Sequence, residues 1–388
     1  PYGMDDQWMV FSHYTERGWT VDNLWHIFTD FYGGQYAPLA FLSYLVLYAG
    51  FGYDPFYFHM FSLLLHIGCV CLVWKLISSL LRVHGGVSEK QILYVNFITT
   101  LLFAVHPINV EAVAWISALK VLLYAFFYLL GLLCYLRYIR TSKIFYYVLT
   151  IGCFLCSFWG KEQAVTFPLA LLIVDWFTNR NMKNLEVWSE KMSFLIMAFF
   201  FGIITVLSQG KGPYEMIFPL YQRLLFGCFA LVEYITKSLL PVNLNFFYPF
   251  PIVLGEEPPL HYYLYPVVLL FLMGWIIAYR NNRYLVFGVL LFLVNLLFSI
   301  HLFNMSRHAI VADRYMYLSY VGIAFLIANG IWWLRKRLSY FKAALVFLFF
   351  YCFFLSVYTF HYTKKWENTT MVKKYTKEVL EKRLNGSN

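Results

Sequence analysis

Apolar stretches long enough to cross a lipid bilayer follow one another along most of this chain. A membrane-spanning helix needs about 20 consecutive apolar residues, or somewhat fewer where the bilayer is thin. Of the 388 residues, 61% are hydrophobic and 13% are charged, which is more apolar surface than a soluble core can hide. The sequence therefore predicts an all-α, polytopic membrane protein with about ten spans. The predicted spans are residues 57–82, 91–106, 118–138, 144–160, 163–178, 191–208, 262–279, 284–302, 314–334 and 342–362.

Basic residues in short loops predict the orientation of these spans, because Lys and Arg favour the cytoplasmic side. The basic loops are residues 137–143, 280–283 and 335–337. They share one side only if two shorter or interrupted apolar stretches, 38–51 and 223–240, do not span. We interpret both as re-entrant or interfacial segments. The non-cytoplasmic side then receives the first loop, residues 1–56, and the polar motifs described below.

The net charge of +10 does not indicate a nucleic-acid partner. The basic residues lie mostly in short loops and in a C-terminal tail, where topology and lipid headgroups account for them. The seven cysteines fall in apolar runs and show neither zinc-ligand nor disulfide spacing. The chain opens on Pro1 without a leader sequence, so we expect a further transmembrane helix to precede it.

Two adjacent carboxylates, Asp5 and Asp6, lie in the aromatic-rich first loop, which is predicted to form interfacial helices. Acidic side chains near lipid are costly and often functional. Adjacent carboxylates are also suited to taking a proton from a nucleophile. Both are therefore candidate catalytic bases, with a solvated interfacial loop as the alternative interpretation.

A second motif follows the span that ends near residue 106. Pro107 disfavours helix at His106, and Asn109 is predicted to cap a new helix with Glu111 in its first turn. This arrangement brings an imidazole and a carboxylate together at a membrane surface. An ordinary capped helix start explains the same residues equally well.

Cationic residues supply the candidates for substrate binding. Arg314 is the preferred one, because a guanidinium grips phosphate with two hydrogen bonds and is cheaper to dehydrate than an ammonium. An arginine that snorkels to the membrane interface is the alternative. Lys161 and Glu162 form a charged corner between two apolar helices, which an ordinary hairpin would also explain. Further candidates for substrate binding are Arg223, Lys237 and Arg307.

Two histidines, His59 and His66, are seven residues apart on one helix face. No carboxylate or cysteine joins them, so no metal site is predicted and polar contacts between helices are the preferred interpretation.

Several motifs stand in a characteristic order along the chain. They are Asp5-Asp6, Tyr36-Ala37-Pro38-Leu39, His59 with His66, His106-Pro107 with Glu111, Lys161-Glu162, and Asp313-Arg314-Tyr315-Met316-Tyr317-Leu318. This order resembles that of the transmembrane and tetratricopeptide-repeat-containing O-mannosyltransferases and their bacterial relatives, in the GT-C glycosyltransferase superfamily. The resemblance covers almost the whole chain.

The resemblance implies a helical bundle of GT-C type with about eleven spans, which ten spans and one lost N-terminal helix would match. Residues 1–362 would form the glycosyltransferase domain. The family usually carries tetratricopeptide repeats after its last span, but the short basic tail, residues 363–388, holds no 34-residue repeat. We expect either that the repeats are cut away after the tail or that this member lacks them.

The resemblance further implies transfer of a hexose, mannose in this family, from a polyprenyl or dolichyl phosphate to Ser/Thr hydroxyls of proteins. The site would face the periplasm from a bacterial inner membrane or the lumen from the endoplasmic reticulum membrane. No cofactor is predicted beyond the lipid-phosphate donor, and a need for a divalent cation stays open. A single displacement would invert the anomeric carbon.

The expected roles follow from the positions of the motifs. Asp6 or Asp5 would deprotonate the acceptor, and Glu111 would orient the acceptor or a neighbouring cation. Arg314, with Lys161 or His106, would offset charge that develops on the leaving phosphate. 

Other functions remain as alternatives. A transferase of the same superfamily could act on a glycolipid or polysaccharide instead of a protein. A transporter for lipid-linked sugars would show internal repeats and binding residues near the midplane, whereas the ionisable residues here cluster at one surface. A membrane scaffold would make the one-sided motifs coincidental.

Overall fold

The computed structural model describes residues 5–209, 218–301 and 309–385. Within these ranges the chain is helical and forms no β-strand, and its extended contacts are two isolated bridges, Tyr32 with Gln35 and Tyr248 with Val311. The all-α class predicted from the apolar stretches is confirmed. The α-helices, numbered in chain order, are α1 Asp6–Met9, α2 His13–Glu16, α3 Val21–Thr29, α4 Pro38–Phe51, α5 Pro55–His84, α6 Glu89–Val105, α7 Val110–Ala114, α8 Leu119–Thr141, α9 Ile144–Gly160, α10 Phe167–Phe177, α11 Leu185–Gln209, α12 Leu220–Leu239, α13 Leu264–Ala278, α14 Arg283–Leu296, α15 Met316–Trp333, α16 Leu338–Thr363 and α17 Thr369–Asn385.

Several of these helices are long and apolar enough to cross a membrane. Among the described residues there are six: Pro55–His84, Ile116–Thr141, Leu185–Ser208, Leu260–Ala278, Asp313–Lys336 and Leu338–Trp366. A seventh candidate consists of α6 and the segment Pro107–Ala114, which meet at a bend of 50°. The shorter apolar helices are Pro38–Phe51, Ile144–Gly160 and Arg283–Leu296.

The predicted polytopic character is therefore confirmed. By length and composition, six or seven helices of the described residues qualify as spans, so the number of ten stays a prediction. All ten predicted stretches contain helix, but some of these helices are too short to qualify as candidate membrane spans. One stretch, 163–178, opens with the 3-10 helix Glu162–Thr166 and leaves only eleven residues for α10. The interrupted stretch 223–240 coincides with α12 up to Leu239, and α12 is not among the candidate spans.

Helix α8 lies at the centre of the bundle. In the apolar 18-residue stretch of the span that contains α8, 78% is buried inside the protein. The buried share is 6% in the span that contains α13 and 17% in the span that contains α16. A helix that is apolar on all sides must be buried in protein or face lipid. We therefore interpret α8 as the core helix and α13 and α16 as lipid-facing.

Glycines allow two helices to approach closely, as is common between membrane helices. A Cβ on Gly322 of α15 would lie 2.5 Å from the carbonyl oxygen of Gly288 on α14 and 2.7 Å from the Phe292 nitrogen. Such distances are too short for any side chain, so this contact requires glycine.

Breaks in the helices bring polar segments to one end of the bundle. As predicted from Pro107, α6 ends at Val105 and His106 is extended. The segment between α6 and α8, residues 106–118, is called the second loop. It runs through α7 to the 3-10 helix Ile116–Ala118, against which α1 packs. Lys161 is also extended, between α9 and the 3-10 helix that precedes α10.

The C-terminal segment packs on this same end. Trp366 and Val372 join an apolar cluster with Val110, Trp115 and Leu244. The Thr376 hydroxyl donates a hydrogen bond of 2.8 Å to Asn245 Oδ1. The beginning of the basic tail is therefore folded against the second loop.

A network of charges closes the other end of α8. Asp175 is fully buried and forms ion pairs with Lys191 and with Arg180, the latter at 3.2 Å. Arg180 Nη1 also donates to Glu190 Oε2 at 2.6 Å, and the Tyr135 hydroxyl donates to Asp175. The network joins α8, α10 and α11 about 24 Å from the beginning of α8, at Tyr135.

Candidate active site

Asp6 connects the first loop to the second loop. Its side chain is 5% exposed, and Oδ1 accepts hydrogen bonds from the Ser117 backbone N–H, at 3.0 Å, and from the Ser117 hydroxyl. The other oxygen, Oδ2, has no hydrogen-bond partner among the described residues. One oxygen therefore fixes the carboxylate in place, and the other is left for chemistry.

The surroundings of Asp6 change its affinity for a proton. Burial raises the pKa of Asp6 above its ordinary value, the two hydrogen bonds from Ser117 lower it, and the negative charge of Asp5 raises it again. The net shift is upward. An ionised carboxylate with a raised pKa is a stronger base, which is the property that a general base requires.

Glu111 and Arg314 form a buried ion pair between the second loop and the beginning of α15. Glu111 Oε2 accepts from the Arg314 backbone N–H at 2.7 Å, and Oε1 accepts from Nη1 at 2.5 Å. The Glu111 side chain is fully buried, whereas that of Arg314 is 20% exposed. Glu111 therefore holds the guanidinium in place while part of it remains open to a ligand.

Aromatic rings surround this guanidinium. Its central carbon lies 5.2 Å from the ring centroids of both Trp115 and Tyr315, and the Lys161 ammonium lies 4.7 Å from the Tyr315 centroid. Cations over aromatic faces are stabilised by the ring quadrupole. Arg314 and Lys161 thus share one aromatic ring, and the structure brings these two predicted phosphate ligands together.

Lys120 extends the positive cluster towards the acidic pair. It is 8% exposed, its ammonium donates to Gln35 Oε1, and it lies 3.7 Å from the Met9 sulfur. Lys120 interacts electrostatically with Asp5, Lys161, Glu162 and Arg314. Glu162 is half-buried at the beginning of its 3-10 helix. The acidic pair and the cations therefore lie close together.

The second loop is capped differently from the prediction. Asn109 is the residue before α7 and Glu111 lies in the first turn, as predicted, but the Asn109 side chain makes no cap hydrogen bond. Instead, His106 Nδ1 accepts from the Ile108 N–H at 3.2 Å and caps the preceding 3-10 helix. The His106 ring is 1% exposed and packs 4.2 Å from the Tyr320 ring, and it lines a separate cavity described below.

The remaining predicted ligands lie elsewhere. Lys237 is 2% exposed, donates to the Tyr248 hydroxyl at 2.9 Å and pairs with Glu233 at 3.6 Å. Arg223 is in the first turn of α12 and Lys237 in the last, about 21 Å apart. They cannot grip one phosphate together. Arg307 lies outside the described residues.

Tyr248 connects Lys237 to the segment that carries Arg314. Its hydroxyl donates to Asp313 at 2.9–3.0 Å and accepts from the Asn245 N–H at 2.6 Å. Burial and the Asp313 charge raise the pKa of Tyr248 well above its ordinary value, so it stays a protonated donor. Lys237 therefore supports the fold beneath Arg314.

Three residues of this site were not singled out from the sequence. Ser117 binds Asp6, and Lys120 lies among the anions and cations. Trp115 packs on Arg314, and its buried Nε1–H has no hydrogen-bond partner among the described residues. A lone lysine within an apolar stretch could have identified Lys120, because such residues are rare unless paired or functional.

Together these residues form a cluster of cations close to an acidic pair. A buried guanidinium, two ammonium groups and an unpartnered indole N–H are suited to a phosphate or to an oxyanion that develops during a reaction. No group of three or more His, Cys, Asp or Glu side chains is arranged to hold a metal ion in the part of the chain that the structure describes.

Fold and site thus define an all-helical, multi-pass membrane protein with a charged, partly buried site at one end of its bundle. Curated proteins similar to the chain carry a common name. Protein O-mannosyl-transferase TMTC2 of Homo sapiens is 33% identical over 189 residues, which is 44% of this chain and 21% of that protein. Protein O-mannosyl-transferase TMTC1 of Homo sapiens is 28% identical over 201 residues, 46% of this chain and 22% of that protein. Protein O-mannosyl-transferase Tmtc3 of Drosophila melanogaster is 28% identical over 172 residues, 39% and 18% respectively.

The alignments thus cover about a fifth of the length of these relatives. No protein-family model matches the chain, and no solved structure matches it. The resemblance to the transmembrane and tetratricopeptide-repeat-containing O-mannosyltransferases, predicted from the order of the motifs, is confirmed by these relatives.

Proposed function

We propose that this chain is the membrane domain of a glycosyltransferase that moves mannose from a polyprenyl or dolichyl phosphate to Ser/Thr hydroxyls of proteins. The relatives named protein O-mannosyl-transferases support the reaction class. The observation that carries the proposal is the acidic pair: Asp6, a carboxylate of raised pKa, adjoins Asp5, which lies within electrostatic range of Lys120 and Arg314.

In the proposed reaction, Asp6 Oδ2 takes the proton from the acceptor hydroxyl while the hydroxyl oxygen bonds to the anomeric carbon of mannose. The bond between that carbon and the phosphate oxygen breaks, and its electron pair leaves with the lipid phosphate. The phosphate departs as a stable anion, so one base suffices and no general acid is required. The attack comes from the side opposite to the phosphate and inverts the anomeric carbon.

Arg314 and Lys161 would offset the charge that grows on the leaving phosphate, with the Trp115 N–H as a further donor. Glu111 holds Arg314 by two hydrogen bonds, so the guanidinium would need little reorganisation during the reaction. Lys120 lies within electrostatic range of Asp5 and Arg314 and would favour ionised carboxylates beside the donor. The site would act on the non-cytoplasmic side of the membrane, as the basic loops predict.

Transfer from radiolabelled polyprenyl-phosphate mannose tests the proposal. The wild-type chain, in lipid nanodiscs, is given the donor with either a Ser/Thr-rich peptide or extracted membrane lipids as acceptor. The proposal expects labelled peptide, with the anomeric configuration inverted relative to the donor. Label only in lipid would favour a glycolipid transferase, and no label from any polyprenyl-phosphate hexose would refute the proposed function.

A further inference from the structure

A cavity separate from the site around Arg314 lies on the other face of the second loop. It has a volume of about 430 Å³, which is in the range of ligand pockets in proteins. Its walls come from α5, the loop after α6, and the end of α16 with the segment that follows. The polar residues of the wall include His59, His66, His106, Asn109 and Glu367.

The charge of this cavity differs from that of the site around Arg314. None of its described lining residues is a lysine or an arginine, and Glu367 contributes a carboxylate. A phosphate placed there would meet the negative charge of Glu367 and no lysine or arginine of the lining, and Lys364 lines only an adjoining cavity that shares Glu367. Such a position is unfavourable where water is partly excluded. The cavity is therefore unsuited to the phosphate of the donor.

The hydrogen-bonding groups of the cavity also favour a neutral ligand. The Asn109 amide is 3% exposed, and its Nδ2 donates to the Phe103 carbonyl at 2.7 Å, which fixes its orientation. Its Oδ1 is buried and has no hydrogen-bond partner among the described residues. A buried carbonyl oxygen needs a donor. Hydroxyl and amide N–H groups can supply one, whereas an ionised phosphodiester cannot.

The cavity also lies near Asp6. His59, in the first turns of α5, lies within electrostatic range of Asp6. Asn109 and Glu111 are two residues apart on the same turn, and Asn109 lines the cavity while Glu111 binds Arg314. The loop therefore separates a cavity without lysine or arginine from a cationic site, and the acidic pair lies near both, Asp6 near His59 and Asp5 near Lys120 and Arg314.

We propose that this cavity binds the acceptor, an uncharged peptide segment that carries the Ser or Thr hydroxyl. This inference rests on the proposed function and adds the position of the second substrate. The peptide backbone carries N–H donors, which are the groups that Asn109 Oδ1 lacks among the described residues. Apolar residues of the wall, such as Leu63 and Val113, provide surface for its side chains.

Neighbouring residues of α5 allow a matched test. Leu63 lines the cavity, whereas Leu64 is not among its lining residues. Both are exposed to a similar degree on the same helix, at 49% and 59%. A photo-reactive benzoylphenylalanine is placed at one position or the other in the full chain. A biotinylated Ser/Thr-rich peptide is then the probe, with unlabelled peptide or polyprenyl phosphate as competitor.

The proposal expects crosslinking of the peptide from position 63 and not from position 64, suppressed by unlabelled peptide and not by polyprenyl phosphate. In parallel, Leu63→Trp should raise the KM for the peptide about tenfold and leave the KM for the donor unchanged. Competition by polyprenyl phosphate, or equal crosslinking from both positions, would overturn the assignment. A wild-type chain that crosslinks the peptide but transfers no mannose would instead refute the proposed function.

Discussion

The buried pair of Glu111 and Arg314 gives a prediction whose magnitude follows from the structure. Glu111 is fully buried and Arg314 is 20% exposed, so either charge left alone stays largely out of water. Removal of one partner from a buried ion pair costs about 3–5 kcal/mol. We therefore expect Glu111→Leu and Arg314→Leu each to lower the free energy of unfolding by about that amount.

The double variant separates the interaction from the loss of each side chain. The double variant buries no unpaired charge. Its loss of unfolding free energy should therefore be smaller than the sum of the losses in the two single variants, by a coupling energy of about 3 kcal/mol. For a chain of this length, 1 kcal/mol corresponds to roughly 1 °C in Tm. Each single variant should therefore lose about 3–5 °C.

The assay is thermal unfolding in detergent, monitored through the change in tryptophan fluorescence. The control is the exposed pair of Arg82 and Glu89, which is 3.2 Å apart with side chains 55% and 76% exposed. Exposed pairs contribute about 0–1 kcal/mol, so this cycle should show little coupling. Additive losses in the Glu111 and Arg314 cycle, or equal coupling in both cycles, would contradict the reasoning.

Three further predictions concern pH, packing and the distant charge network. The charge of Asp5 raises the pKa of Asp6, so Asp5→Asn should lower that pKa and move the acid limb of the kcat/KM profile to lower pH. If the acid limb stays in place, a group other than Asp6 causes it. Gly322→Ala should destabilise the α14 and α15 contact by about 1–3 kcal/mol, whereas Gly330→Ala, which meets no atom within 4 Å, should be neutral or stabilising in thermal unfolding. Glu190→Gln should lower Tm by weakening the bonds from Arg180 and leave the KM for donor and peptide unchanged, and an altered KM would show that the network reaches the site.

Local features of the site were predictable from the sequence. Pro107 ends a helix through its effect on the preceding residue, and Lys161 breaks an apolar run, so both corners follow from neighbouring residues. Arg314 was identified because its chemistry suits phosphate at any position near a membrane surface. The structure then places it beside Lys161 on the Tyr315 ring.

Long-range pairings were not predictable in the same way. Glu111 and Arg314 are 203 residues apart, and Asp6 and Ser117 are 111 residues apart. No local sequence pattern therefore indicates either contact. The helix cap at the second loop was predicted at Asn109 because asparagine side chains commonly cap the beginning of a helix. In the structure, the Asn109 Nδ2 instead donates to the Phe103 carbonyl and orients the side chain away from that role. The number of spans depends on where α9, α10 and α14 lie in the bilayer, which apolar length alone does not determine.

The central claim is that Asp6 is the base of a mannosyl transfer. Asp6→Asn tests it most directly, because an asparagine Oδ1 can still accept both hydrogen bonds from Ser117 while the proton-accepting charge is lost. With radiolabelled polyprenyl-phosphate mannose and a Ser/Thr-rich peptide, the account predicts unchanged Tm and a loss of transfer of at least about 100-fold. Transfer by Asp6→Asn at the wild-type rate would contradict it.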